Sequence, residues 1–271
     1  MPAFAPPEFF TTAGRAAWRG LLALLLCAGV LGCTPPARAL GSRELTFDGQ
    51  LYRVVRVDLR HDPLTLHWRD PQSGQPFGSI ETLRQWGAAR GQRLLFAANA
   101  GIYDRQLAPL GLYVENGSTR VPLNLAHGNP ASGNFSLLPN GVFAIYPDGH
   151  AAVRSSSDFK ADGKPVRWAT QSGPMLLIDG KLNPQFVDDS SSLKWRSGVC
   201  VKSGSEVIFA VSEAPVNFHT FARLFRDQLG CRDALYLDGS ISQLYVDGKY
   251  AGAPAFMVKP YAGIFAVFAK P

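Results

Sequence analysis

Cysteine and histidine are scarce in this chain, and their scarcity removes whole classes of chemistry. There are four cysteines and five histidines in 271 residues. His61, His67, His127, His150 and His219 show none of the spacings by which a short segment grips zinc. A G-x-S-x-G nucleophile elbow, a P-loop and a dinucleotide fingerprint are all missing. The sequence therefore argues against a zinc enzyme, a serine hydrolase or a nucleotide enzyme of a familiar type. Charge runs are missing too. The formal charge is +6, but three Arg and one Glu fall in residues 1–39, leaving 24 basic and 20 acidic residues, a net +4. These basic residues form no block, which argues against a nucleic-acid partner. The mild positive balance suits an anionic substrate as well as it suits plain solubility.

Only one long apolar run exists, Leu21 to Leu31. It follows Arg15 and Arg19 in the layout of a secretory signal and is short for a membrane span. Residues 1–39 are expected to be an export segment, processed before Cys33 or after Ala39. Val30-Leu31-Gly32-Cys33 resembles a bacterial lipobox, whose cysteine becomes a lipidated membrane anchor. Ala37-Arg38-Ala39 fits the small-x-small rule of ordinary signal peptidase. Either route leads out of the cytoplasm, to the periplasm or outer envelope of a bacterium. The rest, residues 42–271, is expected to be one soluble domain. Its length and a composition of 46% hydrophobic and 18% charged residues allow a sizeable core. Export would place Cys200 and Cys231 in an oxidising compartment, as a disulfide or as two buried thiols.

What the chain does hold is strand. Leu45 to Trp68 carries a partly alternating apolar pattern broken at Asp62-Pro63, and Leu94 to Ala98 and Val207 to Val211 read as buried strands. Asn116-Gly117, Asp148-Gly149 and Asp179-Gly180 signal hairpins. Leu235 to Leu237, Gln243 to Val246 and Gly263 to Phe268 supply further strands. Helices are few. Ser79 can cap one that ends at Gly91, with Ile80, Leu83 and Gly87 on one face. Phe218, Phe221, Ala222, Phe225 and Leu229 mark a second, with Gly230 as its stop. This order is no regular strand–helix alternation. It predicts an α+β fold: a single domain of mixed, largely antiparallel sheets with a few flanking helices.

Several short polar segments bearing glycine sit directly beyond apolar runs: Asn99-Ala100-Gly101-Ile102-Tyr103, Gly133-Asn134-Phe135, Gln171-Ser172-Gly173-Pro174, Arg196-Ser197-Gly198 and Asp238-Gly239-Ser240. Glycine beside a short hydrogen-bonding side chain lets backbone amides approach a ligand. Each segment alone also reads as a turn. Asp238 is distinctive because Leu235-Tyr236-Leu237 delivers its carboxylate to a strand end, where open sheets place ligand chemistry.

At these segments, together with Gly111 to Glu115 and Pro139 to Phe143, the chain resembles the phosphodiester glycosidase family. The ordered motifs span Leu45 to Lys270, and the likeness is to its bacterial exported branch. Two departures stand out. Ser197 and Cys200 replace the asparagine and second glycine of an Arg-Asn-Gly-Val-Gly pattern, and Ala98 stands where methionine is usual. Position 197 is accordingly not carried over as a substrate contact. The resemblance implies hydrolysis of a sugar-1-phosphodiester, or of a phosphoglycan, at the anomeric carbon. It implies Asp238 as the leading carboxylate, Glu115 as the second, and Arg196 on the phosphate, where a guanidinium fork fits. Asn99, Asn134 and Gln171 would hold sugar hydroxyls, with Gly101, Tyr103, Ser172, Gly239 and Ser240 lining the same pocket. No cofactor or metal is assigned, although calcium needs no recognisable run of ligands. A non-catalytic envelope module that binds glycans, and a phosphodiesterase that cuts phosphorus–oxygen bonds, are the competing readings.

Overall fold

Tight turns set the strand pairs. Asp48-Gly49, Asn116-Gly117, Asp179-Gly180 and Asp247-Gly248 all place two successive residues at positive φ, the geometry of a two-residue hairpin that matches strand twist. The computed structural model describes residues 40–126, 133, 135–238 and 242–269. The expected export segment, His127, Asn134, Gly239 and Ser240 lie outside them.

Along the chain run β1 (Gly41–Phe47), β2 (Gln50–Asp58), β3 (Leu64–His67), α1 (Ile80–Ala88) and β4 (Leu94–Asn99). Next come β5 (Tyr113–Glu115), β6 (Ser118–Val121), β7 (Gly141–Ile145), β8 (Ala151–Ser155), α2 (Ser156–Asp162) and β9 (Trp168–Ser172). β10 (Met175–Ile178), β11 (Lys181–Leu182), β12 (Ser197–Ser203), β13 (Glu206–Ser212) and α3 (Phe218–Arg223) follow. The last described strands are β14 (Ala234–Tyr236), β15 (Gln243–Val246), β16 (Lys249–Gly252) and β17 (Ile264–Phe268).

These strands form three sheets, ordered β1-β2-β13-β12-β14-β10-β11, β16-β15-β4-β17-β3 and β6-β5-β9-β7-β8. Every pairing among the described strands is antiparallel. The fold is α+β and mostly antiparallel, as the sequence predicts. Among the described residues no helix is long and apolar enough to cross a membrane.

One face of each sheet contributes to a shared interior. Phe209 from the first sheet meets Phe96 of the second at 5.0 Å between ring centroids, and Phe143 of the third meets Phe265 of the second at 5.3 Å. Each such buried ring contributes roughly 1.5–3 kcal/mol of transfer free energy. The other face of the first sheet is covered by α3 and the turn that follows it, whose Phe221 and Phe225 cluster with Tyr52, Leu176 and Ile208. The outer face of the second is covered by α1 through Ile80 and Leu83. Ser79 caps α1 by accepting from the Thr82 N–H. Gly87 allows the helix to lie against Phe268, whose ring would be 2.4 Å from any Cβ there.

The phenylalanine-rich helix is shorter than its pattern suggests. It is α-helical only over Phe218–Arg223 and continues as a wider π-type turn over Leu224–Gln228 before Gly230 reverses the chain at φ +61°. Cys200 and Cys231 form a disulfide, with Cα atoms 6.2 Å apart. β12 and β14 are neighbours, with Cys200 opposite Ala234, which brings the two cysteines together.

Candidate functional site

Four strand ends from two sheets meet at one corner. β14 ends at Tyr236, leading into Leu237-Asp238, and β12 begins at Ser197 in the first sheet, while β4 ends at Asn99 and β15 begins at Gln243 in the second. The strand patterns dictate this. Leu235 and Leu237 enter the shared interior and draw the chain to the sheet edge, where Asp238 is the first residue beyond.

The corner is held through the Asp238 main-chain carbonyl. It accepts from Asn99 Nδ2 at 3.1 Å and from Ser242 Oγ at 2.6 Å, and Ser197 Oγ stands at 3.1 Å. Asn99 Oδ1 in turn receives the Gln243 N–H at 3.2 Å and lies 3.1 Å from Ser197 Oγ. Asn99 is 1% exposed, and Ser197 and Ser242 are buried too. A buried polar network satisfied this fully is rigid, because each lost bond leaves a desolvated group behind. The network fixes the point from which the Asp238 carboxylate projects. That carboxylate lies near Tyr103, whose phenol is pushed up in pKa by burial first and by the Asp238 charge second. Tyr103 therefore stays protonated, and it donates to the Pro260 carbonyl at 3.1 Å.

The remaining expected residues occupy other positions. Arg196 precedes β12, and successive strand residues face opposite ways. Ser197 faces Asn99, so Arg196 faces α3, where its guanidinium lies 3.6 Å over the Phe218 ring. Its Nε donates to the Val216 carbonyl at 2.7 Å and Nη2 to the Ser192 carbonyl at 2.8 Å. It is 1% exposed, and desolvation lowers its pKa against the opposing effect of the adjacent Tyr236 phenol. A guanidinium committed in this way braces residues 192–216 behind the corner.

Glu115 sits on β5 in the third sheet. Its Oε1 accepts the Trp68 N–H at 2.9 Å and its Oε2 lies 3.4 Å from Arg120. Burial raises its pKa. None of these partners belongs to the corner.

Gln171, on β9, is saturated: Oε1 accepts the N–H groups of Leu112 and Asn124, while Nε2 donates to the Asn124 carbonyl and Ser156 Oγ. It ties the two ends of the β5–β6 hairpin, at Leu112 and Asn124, to β9. Gly101 is a glycine because a Cβ would stand 2.3 Å from the Gln171 carbonyl oxygen. Ser172 is fully buried, and its hydroxyl has no hydrogen-bond partner among the described residues.

The structure thus joins Asn99, Tyr103 and Asp238, while the Arg196, Glu115 and Gln171 side chains are bonded to other partners. Sequence reading missed Ser242 and passed over Ser197. The Arg196-Ser197-Gly198 segment was a usable signal for Ser197, whereas nothing distinguished Ser242.

Comparison with known proteins accords with the motif order. The phosphodiester glycosidase family model matches residues 92–268. The uncharacterized protein YigE of Escherichia coli (strain K12) is 36% identical over 218 residues, covering 80% of this chain and 82% of YigE. The fold is similar to that of the zebrafish N-acetylglucosamine-1-phosphodiester alpha-N-acetylglucosaminidase catalytic domain auto-inhibited by pro-peptide. The TM-score is 0.59 at 16% identity, covering 87% of this chain and 84% of that one. A hypothetical protein from Synechocystis gives a TM-score of 0.57 at 16% identity, over 88% of this chain and 64% of its own. At that identity the two structures speak for the fold, while the family model and YigE speak for descent. The chain belongs to the phosphodiester glycosidase family.

Proposed function

We propose that the protein is an exported hydrolase that cleaves a sugar-1-phosphodiester at the anomeric carbon, releasing the sugar and a phosphate monoester. Family membership supports the reaction class. The observation that carries the reading is the Asp238 carbonyl, held by Asn99 and Ser242 with Ser197 beside it, where four strand ends meet. Such a clamp fixes the main chain from which the carboxylate projects.

In this mechanism the bond between the anomeric carbon and the bridging oxygen breaks, and its electron pair leaves with the phosphate monoester. A phosphate monoester leaves readily, so the demand on a general acid is smaller than in ordinary glycoside cleavage. Asp238 faces the anomeric carbon, stabilises the oxocarbenium-like transition state and takes the proton of the attacking water. Tyr103 stands protonated beside it, with its hydroxyl donated to the Pro260 carbonyl. Asn99, Ser197 and Ser242 act by positioning. Arg196 is a positioning residue too, bracing the start of β12, and Glu115 anchors β5. The substrate contacts assigned to Asn134, Ser172, Gly239 and Ser240 rest on the resemblance. The Cys200–Cys231 disulfide supports an oxidising, extracytoplasmic location. A lipid anchor at Cys33 rests on the lipobox-like sequence.

The test is turnover of a panel of sugar-1-phosphodiesters by the purified protein in isotopically labelled water. Label in the anomeric oxygen of the released sugar is expected. Label in the phosphate would assign phosphorus–oxygen cleavage instead. Saturable binding with no turnover of any member would assign a glycan-binding module.

A further inference from the structure

The segment between β16 and β17, residues 253–263, is moored to the corner at three points. The Ala253 N–H donates to the Ser242 carbonyl at 2.8 Å, and Ser242 Oγ itself holds the Asp238 carbonyl. The Pro260 carbonyl accepts from Tyr103, the phenol beside Asp238. The Gly263 carbonyl accepts the N–H of Ala100, the residue after Asn99, at 2.8 Å. Pro254 and Pro260 restrict the backbone near both ends, and Ala255–Met257 form a single 3-10 turn between them. The segment is therefore a short, stiffened strap along the corner.

Of the large apolar side chains on this strap, the fold shelters only Val258, which packs against the cluster that includes Ile80 and Tyr261. Phe256 is 88% exposed, the most exposed large apolar side chain among the described residues, and its neighbour Met257 is 43% exposed. Two adjacent apolar side chains held out in water on a stiff turn mark a contact surface for an apolar partner. Lys259 follows them, exposed and with no hydrogen-bond or ion-pair partner among the described residues. Glu81 and Glu213, the carboxylates beside Pro254 and Val258, already stand next to Arg84 and Arg53, so they do not neutralise it. Arg196 is committed to the Val216 and Ser192 carbonyls. Lys259 is thus a free cation on a segment bonded to the corner.

One cation beside an apolar pair matches an amphiphile, with one anionic group and one apolar chain. We propose that the strap takes the leaving-group side of the substrate, a phosphate esterified to an apolar chain, with Lys259 on the phosphate and Phe256 and Met257 on the chain. The substrate is then a sugar joined through phosphate to a lipid-like alcohol. This inference rests on the hydrolase reading, in which the phosphate monoester leaves with its chain attached. Lysine meets a phosphate as a point charge on a flexible stem, so it needs no fixed fork geometry. Two apolar side chains and one lysine are a small surface for holding a protein on a bilayer, where binding scales with buried apolar area. They suffice to contact a single chain.

The test is calorimetric titration of the intact protein with methyl phosphate and with octyl phosphate below its micelle-forming concentration. Both stand for the released monoester. Octyl phosphate is expected to bind at least about tenfold tighter, which is about 1.4 kcal/mol. Phe256→Ser is expected to remove most of that preference, and Lys259→Gln to raise the Kd for octyl phosphate about tenfold. Both side chains are exposed, so the melting temperature should hold in each variant. The proposal is overturned if octyl phosphate does not bind or binds no tighter than methyl phosphate. It is equally overturned if Phe256→Ser keeps the preference or Lys259→Gln binds as the wild type does. Binding to phosphatidylglycerol vesicles that Phe256→Ser abolishes, with no binding of octyl phosphate, would assign the tip to a membrane and also overturn it. Turnover of a sugar-1-phosphodiester of methanol without any chain preference removes the apolar leaving group and spares the hydrolase. Octyl phosphate binding that both variants weaken, without turnover of any sugar-1-phosphodiester, does the reverse.

Discussion

Asn99 and Asp238 stand 139 positions apart and on different sheets, yet Asn99 Nδ2 donates to the Asp238 carbonyl at 3.1 Å. A side chain expected to hold substrate instead holds the residue expected to act on it. Its Oδ1 is equally committed, to the Gln243 N–H. The corner is therefore a joint between two sheets, and its chemistry depends on that joint keeping its geometry.

Asn99→Ala leaves the Gln243 N–H and part of the Asp238 carbonyl without partners in a buried site. We expect a stability loss of roughly 2–4 kcal/mol in urea denaturation, from two unmade bonds. Turnover should fall through kcat, because the carboxylate is displaced rather than the substrate released. A variant of normal stability with only a raised KM would mean that Asn99 touches the sugar after all.

Arg196→Lys keeps the charge but loses the planar fork that reaches the Val216 and Ser192 carbonyls and lies over Phe218. We predict a loss of about 2–4 kcal/mol in stability with little change in KM. The opposite pattern, an unaltered urea midpoint with a large rise in KM, would put the guanidinium on the phosphate.

His67 packs edge-on against Phe77 and Phe268, and burial lowers its pKa from 6.5 to about 4. Below pH 6.5 the unfolded chain takes up a proton that the folded ring refuses. Stability linked to His67 is thus fully present above that pH and is lost as pH falls toward 4. Wild type should lose roughly 3 kcal/mol more than His67→Phe between neutral pH and pH about 4, by urea denaturation at each pH. Parallel pH profiles for the two proteins would refute this.

The Cys200–Cys231 disulfide spans 31 residues. Closing a loop of that size stabilises a fold by about 3–4 kcal/mol through the unfolded chain. Paired replacement of both cysteines by alanine should lower the urea midpoint accordingly, and reductant should do the same to the wild type. If reductant leaves the midpoint unmoved under conditions that free both thiols, the bond contributes nothing.

Much of the local structure was legible in the residues. Ser79 and the Ile80, Leu83 and Gly87 face mark α1, the Asx-Gly pairs mark hairpins, and Leu235 to Leu237 points to a strand ending at Asp238. These are short-range signals written in capping, turn chemistry and periodicity. The helix α2 escaped because Ser156–Asp162 is too short and polar to show an apolar face. The π-type turn after Arg223 escaped because Phe225 and Leu229 fit an ordinary helical pattern as well.

The site was harder to read. Asp238 could be found from its strand end, but the direction of Arg196 depends on the register of β12, and the saturation of Gln171 depends on where residues 112 and 124 are folded. Which polar side chain meets protein and which meets ligand is a question of long-range pairing. β2 beside β13, roughly 150 residues away, has no local sign.

The central claim is that Asp238 performs the chemistry, and Asp238→Asn tests it with the least disturbance, since the clamped carbonyl and the side-chain volume are both retained. Release of sugar from a sugar-1-phosphodiester should fall on the order of 10³-fold while the melting temperature stays within experimental scatter of the wild type. Near-normal turnover by a folded Asp238→Asn protein would contradict the account.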